Sequence, residues 1–166
     1  MQLRSELTYD APPDEVFAML CDQDFRETVC AATQATSYDV TVDVVGDGAR
    51  VRVHRVMPLP SDVPDMARKL VGDSIEIVHT EEWGPAQADR SRTARLRVEV
   101  PGKPATMPGT IVLAARGTGS HESLEGDVKV SVPFVGGKLE QEIARGILAA
   151  IEVEGSVGRA WLAGDR

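Results

Sequence analysis

Residues 138–162 read KLEQEIARGILAAIEVEGSVGRAWL, and this stretch decides the fold. Its apolar residues recur at steps of three and four, which predicts a long α-helix with one apolar face. Such a helix is stable only when that face is buried against another layer of structure. The predicted apolar face consists of Leu139, Ile143, Ile147, Ala150, Val157 and Trp161.

Seven segments before this helix alternate apolar and polar residues, which is the pattern of half-buried β-strands. Short turns such as Gly46-Asp47-Gly48 join most of them, so we expect antiparallel neighbours. In one segment the alternation slips, which predicts a β-bulge near His54–Arg55 that turns Arg55 outward. The predicted strands are residues 2–9, 38–45, 49–57, 74–83, 90–100, 109–116 and 120–132.

Short helices complete the predicted architecture. Two follow the first strand, one ending near Asp22 and one at residues 24–32. A third is predicted at residues 62–70, within a segment (61–72) that acts either as a lid over a cavity or as a packed connector. The fold class is therefore α+β: a seven-stranded, curved antiparallel sheet wrapped around the C-terminal helix, in a single domain of residues 1–166.

The composition narrows the function classes. Hydrophobic residues make up 42% and charged residues 27%, which excludes wholesale disorder. The net charge of −8 disfavours nucleic acid as a partner, because an acidic surface repels phosphates. The apolar runs are too short for a membrane span and the N-terminus lacks the apolar core of a signal peptide, so we expect a cytoplasmic protein. Cys21 and Cys30 match no zinc or redox spacing.

Two segments are the most specific: DAPPDEVFAMLCD at residues 10–22, and VPFVGGKLE at residues 132–140, which leads from the last strand into the helix. With the order of elements, they resemble the START-like, or helix-grip, superfamily, which includes the birch pollen allergen and the polyketide cyclases. They resemble in particular its uncharacterised actinobacterial family called domain of unknown function 2505. The resemblance covers essentially the whole chain and implies a cavity between sheet and helix. It implies no activity, because the superfamily hosts carriers, hormone receptors, cyclases and hydrolases.

The residues themselves also favour a cavity. Aromatic residues are only 4% of the chain, so few large rings are present to fill the space under a curved sheet. The long helix also carries several small residues, which leave space beside it. Alternatively, these small residues allow the helix to pack closely on the sheet. Those residues are Gly146, Ala149, Ala150, Gly155 and Gly158.

Three polar residues are candidates for catalysis or ligand orientation. Glu154 falls within the apolar face of the long helix, where a carboxylate needs a partner or a proton. It is either a ligand-binding or acidic group, or it reaches solvent or pairs with an arginine. His79 and Glu81 share one strand face with Ile77 and are either an acid–base pair or partners that satisfy each other.

These candidates and their neighbours define a predicted ligand site. An inward Arg55 would suit an anionic head group, but the predicted bulge turns it away. His54 and His121 lie on other strands without ligand spacing to His79, so we predict no metal, and we predict no cofactor. The predicted ligand-binding residues are Ile77, His79, Glu81, Trp83, Leu96, Ile143, Ile147, Ala150 and Glu154.

Three functions remain open. The first is the binding of a small hydrophobic molecule such as a lipid, a polyketide or an isoprenoid. The second is an enzyme of cyclase or dehydratase type that uses His79, Glu81 and Glu154 as acid and base. The third is an interaction domain with a filled core that acts through its surface.

Overall fold

The computed structural model describes residues 1–59, 61, 63, 65, 68, 69 and 72–166. They form an α+β helix-grip fold, in which a curved antiparallel sheet wraps around one long helix. The strands are β1 (Gln2–Tyr9), β2 (Ser37–Val45), β3 (Gly48–Pro58), β4 (Ser74–Trp83), β5 (Arg92–Glu99), β6 (Ala105–Arg116), β7 (Gly119–Asp127) and β8 (Lys129–Val130). The helices are α1 (Pro13–Leu20), α2 (Gln23–Ala32) and α3 (Gly136–Leu162).

The strand order explains how the chain encloses its own helix. Across the sheet it is β1-β7-β6-β5-β4-β3-β2, and the pairings are antiparallel. The consecutive strands β1 and β2 therefore lie at opposite edges, and α1 and α2 connect these edges. Helix α3 packs against β1, α1 and α2, so the concave face of the sheet looks toward α3.

Small residues bring α3 close to the sheet. A Cβ atom at Gly155 would lie 2.7 Å from Cδ2 of Leu7, and one at Gly158 would lie 2.9 Å from a ring carbon of Tyr9. Because these distances are shorter than van der Waals contact, larger residues would push the helix away from β1. Trp161 closes this end of the core by packing edge-to-face on Phe25, with ring centroids 5.6 Å apart.

The β-bulge predicted near His54–Arg55 is wrong. Strand β3 pairs in continuous register with both neighbours, and Arg55 stands opposite Tyr38 of β2 and Ile77 of β4. Arg55 therefore keeps the inward orientation of Val53, two residues earlier. A cavity on that side accommodates its polar end, so the charged residue needs no irregularity in the strand.

Two details at the C-terminal end also differ from the sequence prediction. The strand predicted at residues 120–132 is interrupted at Val128, whose N–H donates to the carbonyl of Met1, and a short eighth strand pairs with β6 instead. Helix α3 begins at Gly136, two residues earlier than predicted. A Cβ there would lie 2.6 Å from the carbonyl oxygen of Val130, so this glycine lets the first helical turn sit against β8.

The helix predicted at residues 62–70, and with it the lid or connector assigned to segment 61–72, rests mainly on residues that lie outside the described part of the chain.

Candidate ligand-binding site

A cavity of about 70 Å³ lies between the inner face of the sheet and α3. Its apolar lining consists of Leu7, Ile77, Leu96, Val98, Met107, Ile111, Leu124, Ile147, Ala150 and Ile151. Its polar lining consists of Ser5, Arg55, His79, Glu81, Glu122 and Glu154. A mostly apolar wall with a few polar side chains is typical of sites that bind small molecules.

Arg26 of α2 lies at the centre of the polar groups, although its side chain is only 2% exposed. Its guanidinium donates to Glu81 at 2.7 Å, to Glu154 at 3.3 Å and to the carbonyl oxygen of Leu20 at 2.6 Å. Burial alone would lower the pKa of Arg26, but the two carboxylates outweigh burial and raise it. One buried cation thereby joins α1, α2, β4 and α3.

Glu81 of β4 is equally buried and is held in its charged form. Besides Arg26, the indole N–H of Trp83 donates to it at 2.6 Å. Nε2 of His79 lies 2.8 Å from its other oxygen, at ion-pair distance but without regular hydrogen-bond geometry. Burial would raise the pKa of Glu81, yet Arg26, His79 and Trp83 together lower it to about 2.

Glu122 of β7 is in the opposite situation. It is 7% exposed, and among the described residues its side-chain hydrogen bond comes from the hydroxyl of Tyr9, at 3.3 Å. Burial and the charges of Glu154 and Glu81 raise the pKa of Glu122 to about 8, and Arg26 offsets only part of this. The same burial, together with Glu122 and Glu154, raises the pKa of Tyr9, so its hydroxyl keeps its proton.

Two carboxyl groups with opposite protonation therefore line one cavity at neutral pH. Glu81 is a carboxylate whose oxygens already accept hydrogen bonds or contact a cation. Glu122 carries a proton and is able to donate a hydrogen bond or the proton itself. Environments that separate two carboxyl pKa values in this way are a common feature of acid–base sites.

The structure places most of the predicted ligand-binding residues around the same cavity. Those that line it are Ile77, His79, Glu81, Leu96, Ile147, Ala150 and Glu154. Trp83 does not line it, because its ring packs on Phe17 and its N–H is used by Glu81. Ile143 packs against the core one helical turn before Ile147 and is likewise not part of the lining.

Sequence reasoning turned Arg55 away from the site and missed four other polar residues: Arg26, Glu122, Tyr9 and Ser5. A signal existed for the first two. Arg26 lies three and four residues before Val29 and Cys30, which is the spacing of one helix face. Glu122 lies two residues before the apolar Leu124 on its strand, so the two side chains point to the same face of the sheet.

Two absences concern the described residues alone. Within them, no three His, Cys, Asp or Glu side chains form a group that is able to hold a metal ion. No helix among the same residues is both long and apolar enough to cross a membrane.

A curved sheet that grips one long helix, with a cavity of mixed apolar and polar lining between them, defines a helix-grip protein with a candidate ligand site. The chain belongs to the DUF2505 family, described as protein of unknown function, whose model matches residues 4–162. An uncharacterised protein of Mycobacterium tuberculosis is 26% identical over 161 residues, which cover 93% of this chain and 92% of that protein.

Solved structures share the fold at low sequence identity. A STAR-related lipid transfer protein from Xanthomonas axonopodis is 12% identical, with a TM-score of 0.62 over 96% of this chain and 84% of that one. Norcoclaurine synthase from Thalictrum flavum, in complex with dopamine and hydroxybenzaldehyde, is 13% identical, with a TM-score of 0.55 over 100% and 88%. These likenesses establish the fold alone.

Proposed function

We propose that this protein binds a small, mostly apolar molecule in the cavity between the inner face of the sheet and α3. The observation that carries the proposal is the lining of that cavity, ten apolar side chains with a few polar groups on facing walls. Affinity would come from burial of the ligand's apolar surface, and the polar groups would fix its orientation. The lipid-transfer protein with the same fold is consistent with this use of the space.

The cavity size limits the ligand. Its volume of about 70 Å³ is roughly half that of the ~150 Å³ engineered cavity known to accept benzene. Among lipids, polyketides and isoprenoids, a small isoprenoid-like or short-chain molecule fits with the least rearrangement. A long-chain lipid requires the lining, such as the flexible side chain of Met107, to move aside. We place this binding in the cytoplasm.

Filling the cavity tests the proposal. Ala150 lines the cavity on α3, whereas Ala149 is exposed on the same helix. We expect Ala150→Leu to weaken the binding of xenon, which is small enough for this cavity, at least about tenfold, since about 1.4 kcal/mol of lost burial corresponds to that factor. NMR chemical shifts of cavity residues measure the binding, and Ala149→Leu should leave it unchanged. Equal binding by both variants would refute the proposal.

Native mass spectrometry of freshly purified protein then identifies the ligand class. A bound molecule should be retained by the wild type and by Ala149→Leu, and lost from Ala150→Leu. If neither xenon nor a retained molecule depends on residue 150, the surface-acting interaction domain becomes the better account.

A second candidate function, an enzyme of cyclase or dehydratase type, is supported by one observation. Glu122 has a pKa of about 8 and lines the same cavity as the ionised Glu81. A general acid is most effective when its pKa is near the working pH. Incubating the retained molecule with the protein and looking for a change in its mass or structure separates the two functions, because a carrier returns its ligand unaltered.

A further inference from the structure

The three carboxyl groups that line the cavity are unequally supplied with hydrogen-bond donors. Glu81 contacts Arg26, Trp83 and His79. Among the described residues, Glu122 accepts one side-chain hydrogen bond and Glu154 accepts one, both at 3.3 Å. An ionised carboxylate offers about four lone-pair sites, so Glu154 has unused acceptor capacity, and Glu122 gains the same capacity when it loses its proton.

The two under-supplied groups lie on different elements that enclose the same space. Glu122 projects from β7 and Glu154 from α3, and both line the cavity. The two groups are close enough for the charge of Glu154 to raise the pKa of Glu122. A ligand atom with several N–H donors, placed between the sheet and the helix, would reach both carboxyl groups.

The charge balance points the same way. Arg26 serves two carboxylates, and one of these, Glu81, holds it at the shorter distance. Glu154 therefore shares its cation with Glu81. Glu122 keeps its proton because the charges of Glu154 and Glu81 raise its pKa. The titratable or charged groups around Glu122 are Tyr9 on β1, Arg26 on α2, Arg55 on β3, His79 and Glu81 on β4, and Glu154 on α3.

We propose that the ligand carries a protonated amine at its polar end, held between Glu122 and Glu154. This inference rests on the proposed ligand-binding function and names the chemistry of its polar group. An ammonium supplies up to three donors and one positive charge, and these are what Glu122 and Glu154 receive least of from their neighbours. When the amine binds, Glu122 ionises and releases its proton to solvent.

Three probes with the same four-carbon chain isolate the polar group: butylamine, 1-butanol and butyrate. We expect butylamine to bind at least about tenfold more tightly than 1-butanol at pH 7, because charge-assisted hydrogen bonds replace neutral ones. Butyrate should bind most weakly. Affinities are measured by following NMR chemical shifts of cavity residues during titration.

Matched variants assign the preference to the two carboxyl groups. Glu122→Gln and Glu154→Gln should each remove most of the preference for butylamine over 1-butanol. The controls are Glu125→Gln on β7 and Glu152→Gln on α3, whose side chains are exposed. Both should keep the wild-type preference.

A measurement on the wild type guards against variants that fail to fold. Calorimetric titration in buffers of different ionisation enthalpy counts protons released on binding. Butylamine should release a substantial fraction of one proton at pH 7, and 1-butanol none.

The outcomes separate the two proposals. If 1-butanol binds as tightly as butylamine, or no four-carbon probe binds while xenon does, the amine inference is overturned and the ligand cavity stands. Tightest binding of butyrate, abolished by Arg55→Met, would assign an anionic ligand instead. Failure of xenon and of all four-carbon probes would remove the ligand proposal itself.

Discussion

The β4 wall and the β7 wall of the cavity each carry a buried carboxyl group, and the two groups behave in opposite ways. Glu81 on β4 is surrounded by a guanidinium, an indole N–H and an imidazole, and its pKa is lowered to about 2. Glu122 on β7 has the hydroxyl of Tyr9, and its pKa is raised to about 8. Burial is similar, so the neighbouring charges and donors decide the difference: Arg26 and His79 beside Glu81, and the carboxylates of Glu154 and Glu81 beside Glu122.

This difference separates a structural group from a group available to a ligand. The oxygens of Glu81 are occupied by interactions that join α2 to the sheet. Among the described residues, the oxygens of Glu122 accept one side-chain hydrogen bond, from Tyr9, although the group is taken out of water at a cost in free energy. A protein core built for stability alone would replace such a group with an apolar residue. Glu122 on β7 is therefore the better candidate for a group that acts on a ligand.

The largest effect should follow from removing the cation that makes the two walls differ. Arg26→Met keeps an unbranched side chain but leaves the buried Glu81 and the half-buried Glu154 without their shared charge. We expect the free energy of unfolding at pH 7 to fall by about 3–5 kcal/mol, as for other broken buried ion pairs. Urea denaturation measures it.

Arg4→Met is the matched control, because Arg4 pairs with Glu125 on the surface. Its effect should stay within about 0.5 kcal/mol. A loss below about 1 kcal/mol in Arg26→Met would mean that the β4 wall is not held by this network.

The next effect is a difference in sign between the two carboxyl groups. Glu81→Gln should lower the free energy of unfolding at pH 7 by about 2–4 kcal/mol, because it weakens the interaction with buried Arg26. Glu122→Gln should change it little at pH 5 and raise it at pH 8.5, since glutamine cannot ionise. Urea denaturation at three pH values compares them.

The pH windows follow from the two pKa shifts. The folded pKa of Glu122 is above its ordinary value of 4.5, so its contribution to stability is fully present below pH 4.5 and is lost as the pH rises to about 8. The folded pKa of Glu81 is below 4.5, so its contribution is present above pH 4.5 and is lost as the pH falls toward 2. The slope of the wild-type free energy of unfolding against pH should therefore be positive below pH 4.5 and negative above it. The same sign of slope in both windows would contradict the contrast.

Much of the fold could be predicted because periodicity records which side of an element is buried. Val40 and Val53 alternate with charged neighbours, and Leu139 to Trp161 repeats at helical steps, so strands and helix follow from local pattern. The bulge at Arg55 was predicted on the assumption that a charged residue cannot point inward. That assumption fails wherever the interior contains a cavity.

The site was less predictable because its contacts join residues far apart in the chain. Arg26 and Glu81 are 55 positions apart, and Arg26 and Glu154 are 128 apart. No local pattern reports such distances. The alternation on β7 is sufficient to place Glu122 on the face of Leu124, but its protonation depends on the charges of Glu154 and Glu81, which only the packed structure brings near.

A smaller effect tests how α3 positions the donor to Glu122. A Cβ at Gly158 would meet both the Tyr9 ring at 2.9 Å and Met19 at 3.0 Å, whereas one at Gly146 would meet nothing within 4 Å. We expect Gly158→Ala to lower the free energy of unfolding by about 1–3 kcal/mol. Gly146→Ala should raise it by up to about 1 kcal/mol, because alanine favours the helix. Equal effects in thermal denaturation would contradict close packing at Tyr9.

The smallest effect concerns the hydroxyl of Tyr9. Among the described residues, it donates the side-chain hydrogen bond that Glu122 accepts. Tyr9→Phe should lower the free energy of unfolding by only about 0.5–1.5 kcal/mol. The hydrogen bond from Tyr9 favours the charged form of Glu122, so its loss should move the pKa of Glu122 still higher. Carbon-13 NMR of the Glu122 side chain measures that pKa, and Tyr38→Phe, at an exposed tyrosine, should leave it in place. A fall of the pKa in Tyr9→Phe would mean that water solvates the carboxyl group of Glu122. Water would then supply the hydrogen-bond donors at this group, and a ligand donor would not be needed.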